Sequence, residues 1–484
     1  MEAIAQWFTR DHVMLALSVL WSLYVVVVAV WILLQRRAPV ATLSWLLSMA
    51  MIPVVGVGVY YFFGPQRLKR QRLKRLRSRR RSRVRASIAR LKDKVPTAPA
   101  NLHQLVKLVS ASSNLPLSTA DKVQLLVGGA ATFDSIMAAV RQAQHHVHLE
   151  YYIFEPDQTG QALLALLCTK AREGVRVRLL VDALGSKRLS RRHYRELEAA
   201  GGEVALFHPT RLGRRTRPVI NFRTHRKIVV VDGDIGFTGG VNITDEENQR
   251  ILPEAYHDVH VRLHGPVVNW LQTVFLEDWA YALDYSTNQE PTDLDVLLPD
   301  MPDGDQAVQI MASGPDSSME AIHRVHVAAI HAAHERLWLT TPYFVPTEAA
   351  MLALTNAALR GVDVRLLVPE KSDSRIVTAA ARSYFDELIK SGVKVFEYRK
   401  SMLHSKTMVV DDWMGIIGTA NFDNRSFRLN YEVCAVIYGR AFATDLEQQF
   451  MADLQHAHRV MYARPQPFLQ RLGDSIARLM SPLL

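Results

Sequence analysis

Two long apolar runs open the chain. Val13 to Leu34 holds 22 residues without a charge, and Val40 to Phe63 holds 24 more. About 20 apolar residues cross a bilayer as helix, so each run is long enough for a span. The five residues Gln35 to Pro39 between them predict a tight transmembrane hairpin over residues 1–65, with both its ends on one side of the membrane. A cleaved leader fits poorly, because the apolar run is too long, the first residues are not basic and a second run follows. A buried soluble hairpin is the other alternative. Trp31, Trp45, Tyr60 and Tyr61 near the run ends suit the headgroup region.

Further along, the pattern changes to short apolar runs separated by amphipathic stretches, and it repeats. HHVHLEYYIFEPDQTGQALLALLCTKAREGVRVRLLVDALGS begins at His145, and ERLWLTTPYFVPTEAAMLALTNAALRGVDVRLLVPEKSDS begins at Glu335. Each reads as strand, helix and strand. Each continues into a second helix and a strand, GGEVALFHP or SGVKVFEYRK, and then into THRKIVVVDGDIGFTGGVNI or LHSKTMVVDDWMGIIGTANF. Strand–helix alternation with unbroken apolar strands predicts α/β lobes whose central strands are buried on both faces. The expected fold is therefore two similar lobes, mixed β-sheets flanked by helices, over residues 101–290 and 291–465. A pseudo-twofold axis relates them, and a site on that axis receives the same motif from each. In residues 466–484, Leu469, Leu472, Ile476, Leu479 and Met480 recur at helical spacing. They predict an amphipathic helix that lies in the membrane interface or packs on the second lobe.

Composition narrows the class. With 49% apolar and 22% charged residues, the chain is neither disordered nor a coiled coil. Its two cysteines, Cys168 and Cys434, exclude a disulfide scaffold and a multi-cysteine zinc site. The net charge of +11 is uneven: Arg67 to Lys94 carries fifteen Lys/Arg and one acid, +14, which leaves the rest at −3. The arm over residues 66–100 reads either as a linker that fixes topology or as a collector of anionic lipid headgroups, at about 1 kcal/mol per Lys/Arg. Directly after a span, nucleic-acid binding is the least favoured of its readings, and none is expected. Its charge puts the lobes on the cytoplasmic side; Arg36 and Arg37 in the turn oppose this weakly.

The candidate chemistry is His-x-Lys-x4-Asp, present twice: His225, Lys227, Asp232 and His404, Lys406, Asp411. Asn242 and Asn421 follow each His at the same distance, as do Gly239 and Gly418. One copy is weak evidence; two at equivalent points of a repeat are strong. In extended chain His and Lys share a face, while the Asp lies seven residues on, roughly 23 Å away at ~3.3 Å per residue. Asp232 and Asp411 are thus expected to cap strand-end turns. Some other carboxylate must orient each imidazole. Glu432, 28 residues after His404, and Asp258, 33 after His225, sit in the matching contexts NYEVCAV and YHDVHVR and are the candidates. His145, His146 and His148 are read as structural, not as a metal site.

Two imidazoles, two ammonium groups and two amides on one axis suit a phosphodiester. Lys227, Lys406, Asn242 and Asn421 would hold the non-bridging oxygens, one His would attack phosphorus, and the other would move protons. That chemistry needs no metal or other cofactor.

On these motifs the chain resembles the phospholipase D superfamily. Its span pattern, EYYIFEPD, HDVHVRLHGPVV, TPYFVPTEA, GTANFDNRSFRLNYE and the tail resemble the bacterial cardiolipin synthases with two N-terminal transmembrane segments, over nearly all 484 residues. The resemblance implies six active-site positions, His225, Lys227, Asp232, His404, Lys406 and Asp411. It implies a transferase of the bacterial inner membrane that joins two phosphatidylglycerols into cardiolipin and releases glycerol. It also implies that His225 attacks and His404 is the acid/base; the symmetry of the repeat leaves that choice open. GGVNITDEENQ departs from the pattern in lacking an aromatic after its acidic pair. A lipid-hydrolysing phospholipase D, a transferase using phosphatidylethanolamine, and a catalytically silent membrane scaffold are the competing readings.

Overall fold

The computed structural model describes residues 10–34, 42–43, 45–47, 91, 96, 102–209, 221–283, 294–317, 319–461 and 467–481. The turn at Gln35–Pro39, most of the second apolar run and nearly all of the basic arm lie outside these residues. The chain divides into two units, Met1–Leu73 and Lys74–Leu484. In the first, Arg10–Leu33 is one helix, and among the described residues it alone is long and apolar enough to cross a membrane. Trp45 and Leu46 pack with Val28 around the buried Ile32.

The second unit holds the repeat. Its first sheet runs, in spatial order, Lys122–Val127, Val259–His264, Ile235–Gly239, Ile228–Val231, His146–Tyr151, Arg176–Asp182 and Glu203–Phe207. The second runs Gln306–Ser313, Glu432–Tyr438, Met414–Gly418, Thr407–Val410, Arg336–Thr340, Asp363–Pro369 and Lys394–Tyr398 in the same order, with Leu117–Ala120 and Ala457–Arg459 added at its two edges. In both, the middle strands are parallel where a helix connects them and antiparallel where a tight turn does. The connecting helices start alike: the Asp157 carboxylate accepts from Gly160 N–H at 3.1 Å, and the Thr347 hydroxyl from Ala350 N–H at 3.1 Å. They also end alike, at Gly174 (φ 88°) and Gly361 (φ 93°), in the left-handed conformation that a helix stop favours.

The domain boundary differs from the sequence expectation. Leu117–Ala120 pairs antiparallel with Gln306–Ser313, and Leu105, Val106 and Val109 of the preceding helix, His103–Ser113, join the second lobe's core together with Leu102 at its N-cap. Residues 102–120 therefore belong to the second lobe, and the first begins near Lys122. A four-residue strand carries too little periodicity to announce which sheet it will extend.

The tail is helical over Phe468–Leu479 and packs on the second lobe by its small and polar side. Ala477 and Asp474 are buried, Arg478 stacks 4.3 Å from the Tyr384 ring centroid, and Ser481 bonds the Tyr384 hydroxyl at 3.0 Å. Phe468, Leu469, Leu472, Ile476 and Leu479 are left exposed.

Candidate active site

Each His-x-Lys segment is the extended lead-in to a buried strand, Ile228–Val231 or Thr407–Val410. Short parallel bridges tie each lead-in to the opposite lobe, Thr224 with Tyr431 and His257 with Leu403. His225 N–H donates to Tyr431 C=O at 2.8 Å, and His404 N–H to His257 C=O at 2.7 Å. Buried Arg226 reinforces the join, bonding Glu432 C=O at 3.2 Å and Ser313 C=O at 3.1 Å as well as Asp278.

Because the next residue after each bridge partner is an acid, the carboxylates cross between lobes. Glu432 of the second lobe meets His225 Nδ1 at 3.0 Å, and Asp258 of the first lobe meets His404 Nδ1 at 2.7 Å. Both acids are fully buried. Spacing along the chain puts each acid with the histidine of its own repeat; the bridges give it to the other. A carboxylate on Nδ1 fixes the tautomer and leaves Nε2 of each ring as the working nitrogen.

Lys227 Nζ donates to His225 C=O at 3.0 Å, and Lys406 Nζ donates to His404 C=O. The four motif side chains share one electrostatic environment. Burial first, then Lys227 and Lys406, pull His225 below its usual range against the pull of Glu432. Burial, then Lys406 and more weakly Lys227, bring His404 down to about 4, against Asp258. Burial and the Lys406 charge lower Lys227 to about 8. Burial pulls Asp258 up, but Lys406 and the His404 bond outweigh it and hold the carboxylate ionised. Tyr152 stands edge-on to His225, with centroids 5.1 Å apart.

Asp232 and Asp411 do not join this cluster, although the resemblance gives them active-site positions. Asp232 accepts from the backbone N–H groups of Gln144, His145 and His146 at 2.7–2.9 Å. Asp411 does the same for His334, Glu335 and Arg336. Both sit at left-handed turns, φ 54° and 49°, which Asp tolerates. They anchor the start of the neighbouring strand. Asn242 gives one side-chain N–H to Glu247 Oε1 at 2.6 Å. Asn421 is buried, and its Oδ1 has no hydrogen-bond partner among the described residues. His148 is buried against Gln272 and Phe275, and buried His146 lies beside it with ring centroids 4.7 Å apart.

Glu247 is the residue that sequence reasoning missed. It lies 2% exposed in the acidic stretch of GGVNITDEENQ, 3.8 Å from His404 Nδ1. Glu247, Asp258 and His404 present atoms within 4.8 Å of one another, a spacing that suits a cation; Lys406 Nζ, 3.6 Å from Asp258, brings a protein ammonium to that place.

Doubled α/β lobes meeting over one His–Lys pair from each define the phospholipase D class of protein. Residues 136–279 and 327–454 match the family model described as cardiolipin synthase, PLD-like domain, and residues 22–65 match the phospholipase D-nuclease N-terminal model. The cardiolipin synthase of Geobacillus kaustophilus is 41% identical over 100% of this chain and 96% of its own. That of Alkalihalophilus pseudofirmus is 38% identical over 99% and 96%. The solved structure of phosphatidylserine synthase from Haemophilus influenzae Rd KW20 shares the fold at 16% identity, with a TM-score of 0.59 over 79% of this chain and 100% of that one. The chain belongs to the cardiolipin synthase family of the phospholipase D superfamily, and it is a phosphatidyltransferase.

Proposed function

We propose that the chain joins two phosphatidylglycerol molecules into cardiolipin and glycerol through a phospho-histidine on His225. The observation that carries this reading is the pair of buried imidazoles, each with Nδ1 taken by a carboxylate from the opposite lobe. His225 Nε2 forms a bond to phosphorus as the bond to the glycerol oxygen breaks, and His404 Nε2 gives that oxygen its proton. The terminal hydroxyl of a second phosphatidylglycerol then returns a proton to His404 Nε2 as its oxygen displaces His225 from phosphorus. Lys227, Lys406 and the Asn421 amide balance charge on the non-bridging oxygens. One phosphodiester replaces another, so no nucleotide is consumed. Purified protein in phosphatidylglycerol vesicles should yield cardiolipin and glycerol in equal amounts, read by mass spectrometry of the lipids. Phosphatidate with glycerol would make the chain a hydrolase; cardiolipin only when phosphatidylethanolamine is supplied would change the donor.

A two-span hairpin, with the lobes on the cytoplasmic side, fits the helix at Arg10–Leu33, the second apolar run and the basic arm. The arm gathers anionic lipid for the site. The tail helix is a lipid contact too: its polar side is docked and its apolar side is bare, the reverse of a helix whose partner is protein. A fluorophore attached at Leu472→Cys in full-length protein should emit as from an apolar medium and be quenched by nitroxide-labelled lipid. The same label should be water-exposed and unquenched if the helix has no part in lipid contact.

A further inference from the structure

The two halves of the site share their His, Lys and Asn positions and differ beside the carboxylates. Glu247 and Ser426 stand 179 residues apart, the same offset as His225 and His404. Each side chain accepts the backbone N–H of its own half's asparagine. Glu247 Oε2 accepts from Asn242 N–H at 3.1 Å, and Ser426 Oγ accepts from Asn421 N–H at 3.1 Å. Only Glu247 has a second oxygen, and that oxygen lies 3.8 Å from His404 Nδ1. A second mismatch accompanies it. The Thr419 hydroxyl donates to Glu432 at 2.5 Å, whereas the matching residue is Gly240. A Cβ at Gly240 would stand 2.1 Å from Asp258 Oδ1, so no threonine fits there. The carboxylate serving His225 is therefore partnered by a hydroxyl, and the one serving His404 faces a second carboxyl.

We propose that Glu247 is a positioning residue that makes the two histidines unequal, giving the His404 side the mobile proton and so the duty of general acid, and leaving His225 to attack phosphorus. The proposal rests on the phosphatidyl-transfer reading and names what separates its two imidazoles. The groups facing Glu247 are Asp258, His404, Lys406 and Lys227, with the hydroxyls of Tyr151 and Tyr256 nearby. Burial first, then the negative charge of Asp258, push Glu247 up to about 8, so it enters the reaction holding a proton at neutral pH. Two titrating groups this close share their protons as a pair. An imidazolium at His404 is stabilised by an ionised Glu247 beside it, and an anionic phosphodiester at the lysines favours that arrangement further. The residue in the same place on the His225 side, Ser426, carries no charge; buried Asp423, pushed up to about 6 by burial first and in part by Glu432, accepts the Ser426 N–H there. Once His404 Nε2 has given its proton to the departing glycerol oxygen, the acceptor hydroxyl returns one to the same nitrogen, and the Glu247 carboxylate beside Nδ1 stabilises the imidazolium on either side of that exchange.

The experiment compares two leaving groups in the full-length protein, for Glu247→Gln and for Glu247→Ser, the latter installing the residue already present in the other half. Glycerol leaving phosphatidylglycerol needs a proton; nitrophenolate leaving phosphatidyl-p-nitrophenol does not. At pH 8 the first release of glycerol should slow about tenfold in both variants, a part of what a general acid contributes. The nitrophenolate burst should stay within about twofold of the parent, and the alkaline limb of the glycerol profile should move to lower pH. Equal loss with both leaving groups, no loss with either, or unfolding of both variants would overturn the role. Glycerol release is common to transfer and hydrolysis, so a parent that makes only phosphatidate would end the transferase reading without touching this comparison.

Discussion

His225→Ala should lower phosphatidyl transfer by on the order of 10⁴–10⁶-fold, the scale on which removal of a covalent nucleophile is felt. The fold should survive. Glu432 loses its imidazole partner but keeps the Thr419 hydroxyl at 2.5 Å and the Asn430 amide at 3.3 Å, so the buried carboxylate is not stranded. The clearest measurement uses phosphatidylglycerol carrying labelled phosphorus, quenched in denaturant during turnover. The parent should show label on protein at His225, and His225→Ala should show none. His404→Ala should still acquire label from phosphatidyl-p-nitrophenol, because that leaving group dispenses with the acid, and should then pass it on slowly. Label retained in His225→Ala and absent from His404→Ala would exchange the two assignments.

The second large effect falls on stability. Asp411→Ala should destabilise the second unit by about 3 kcal/mol, since three backbone N–H groups lose a charged acceptor at a left-handed turn that alanine resists. Its activity should fall only with the folded fraction, which denaturant unfolding followed beside transfer would read. The effect has a pH signature. Burial pulls the Asp411 carboxyl up, but its backbone donors outweigh burial and hold it below the ordinary value. A carboxyl depressed in the folded state stabilises above its unfolded value, roughly 4, and that stabilisation disappears as pH falls through the folded value. The gap between parent and Asp411→Ala should therefore be full at pH 7 and shrink below pH 4. A constant gap, or loss of catalysis at unchanged stability, would return Asp411 to the chemistry.

The contrast between these residues marks how far the chain can be read without coordinates. The repeat, the succession of strands and helices along each copy and the two His-x-Lys segments are local patterns, and local patterns survive translation into structure. Even the separate duty of Asp232 and Asp411 follows from the length of seven extended residues. Glu432 and Asp258 are visible as candidates, but their ownership is not. Whether an acid serves the histidine 28 residues before it or one in the other copy depends on how two lobes dock, and no spacing along one strand encodes that. Glu247 is hidden for another reason. A glutamate in the run Asp-Glu-Glu looks like solvated surface, and only burial against Asn242 and Asp258 distinguishes it from its neighbours. Residues 102–120 read as part of the nearer lobe because proximity in sequence is the sole guide.

The exchange of carboxylates between the lobes has a consequence for biosynthesis. A ribosome releases the first half before the second. Until its sister arrives, that half owns an imidazole with no acid to orient it, and an acid with no imidazole to serve. Both imidazoles are thus oriented only once the second half has folded onto the first.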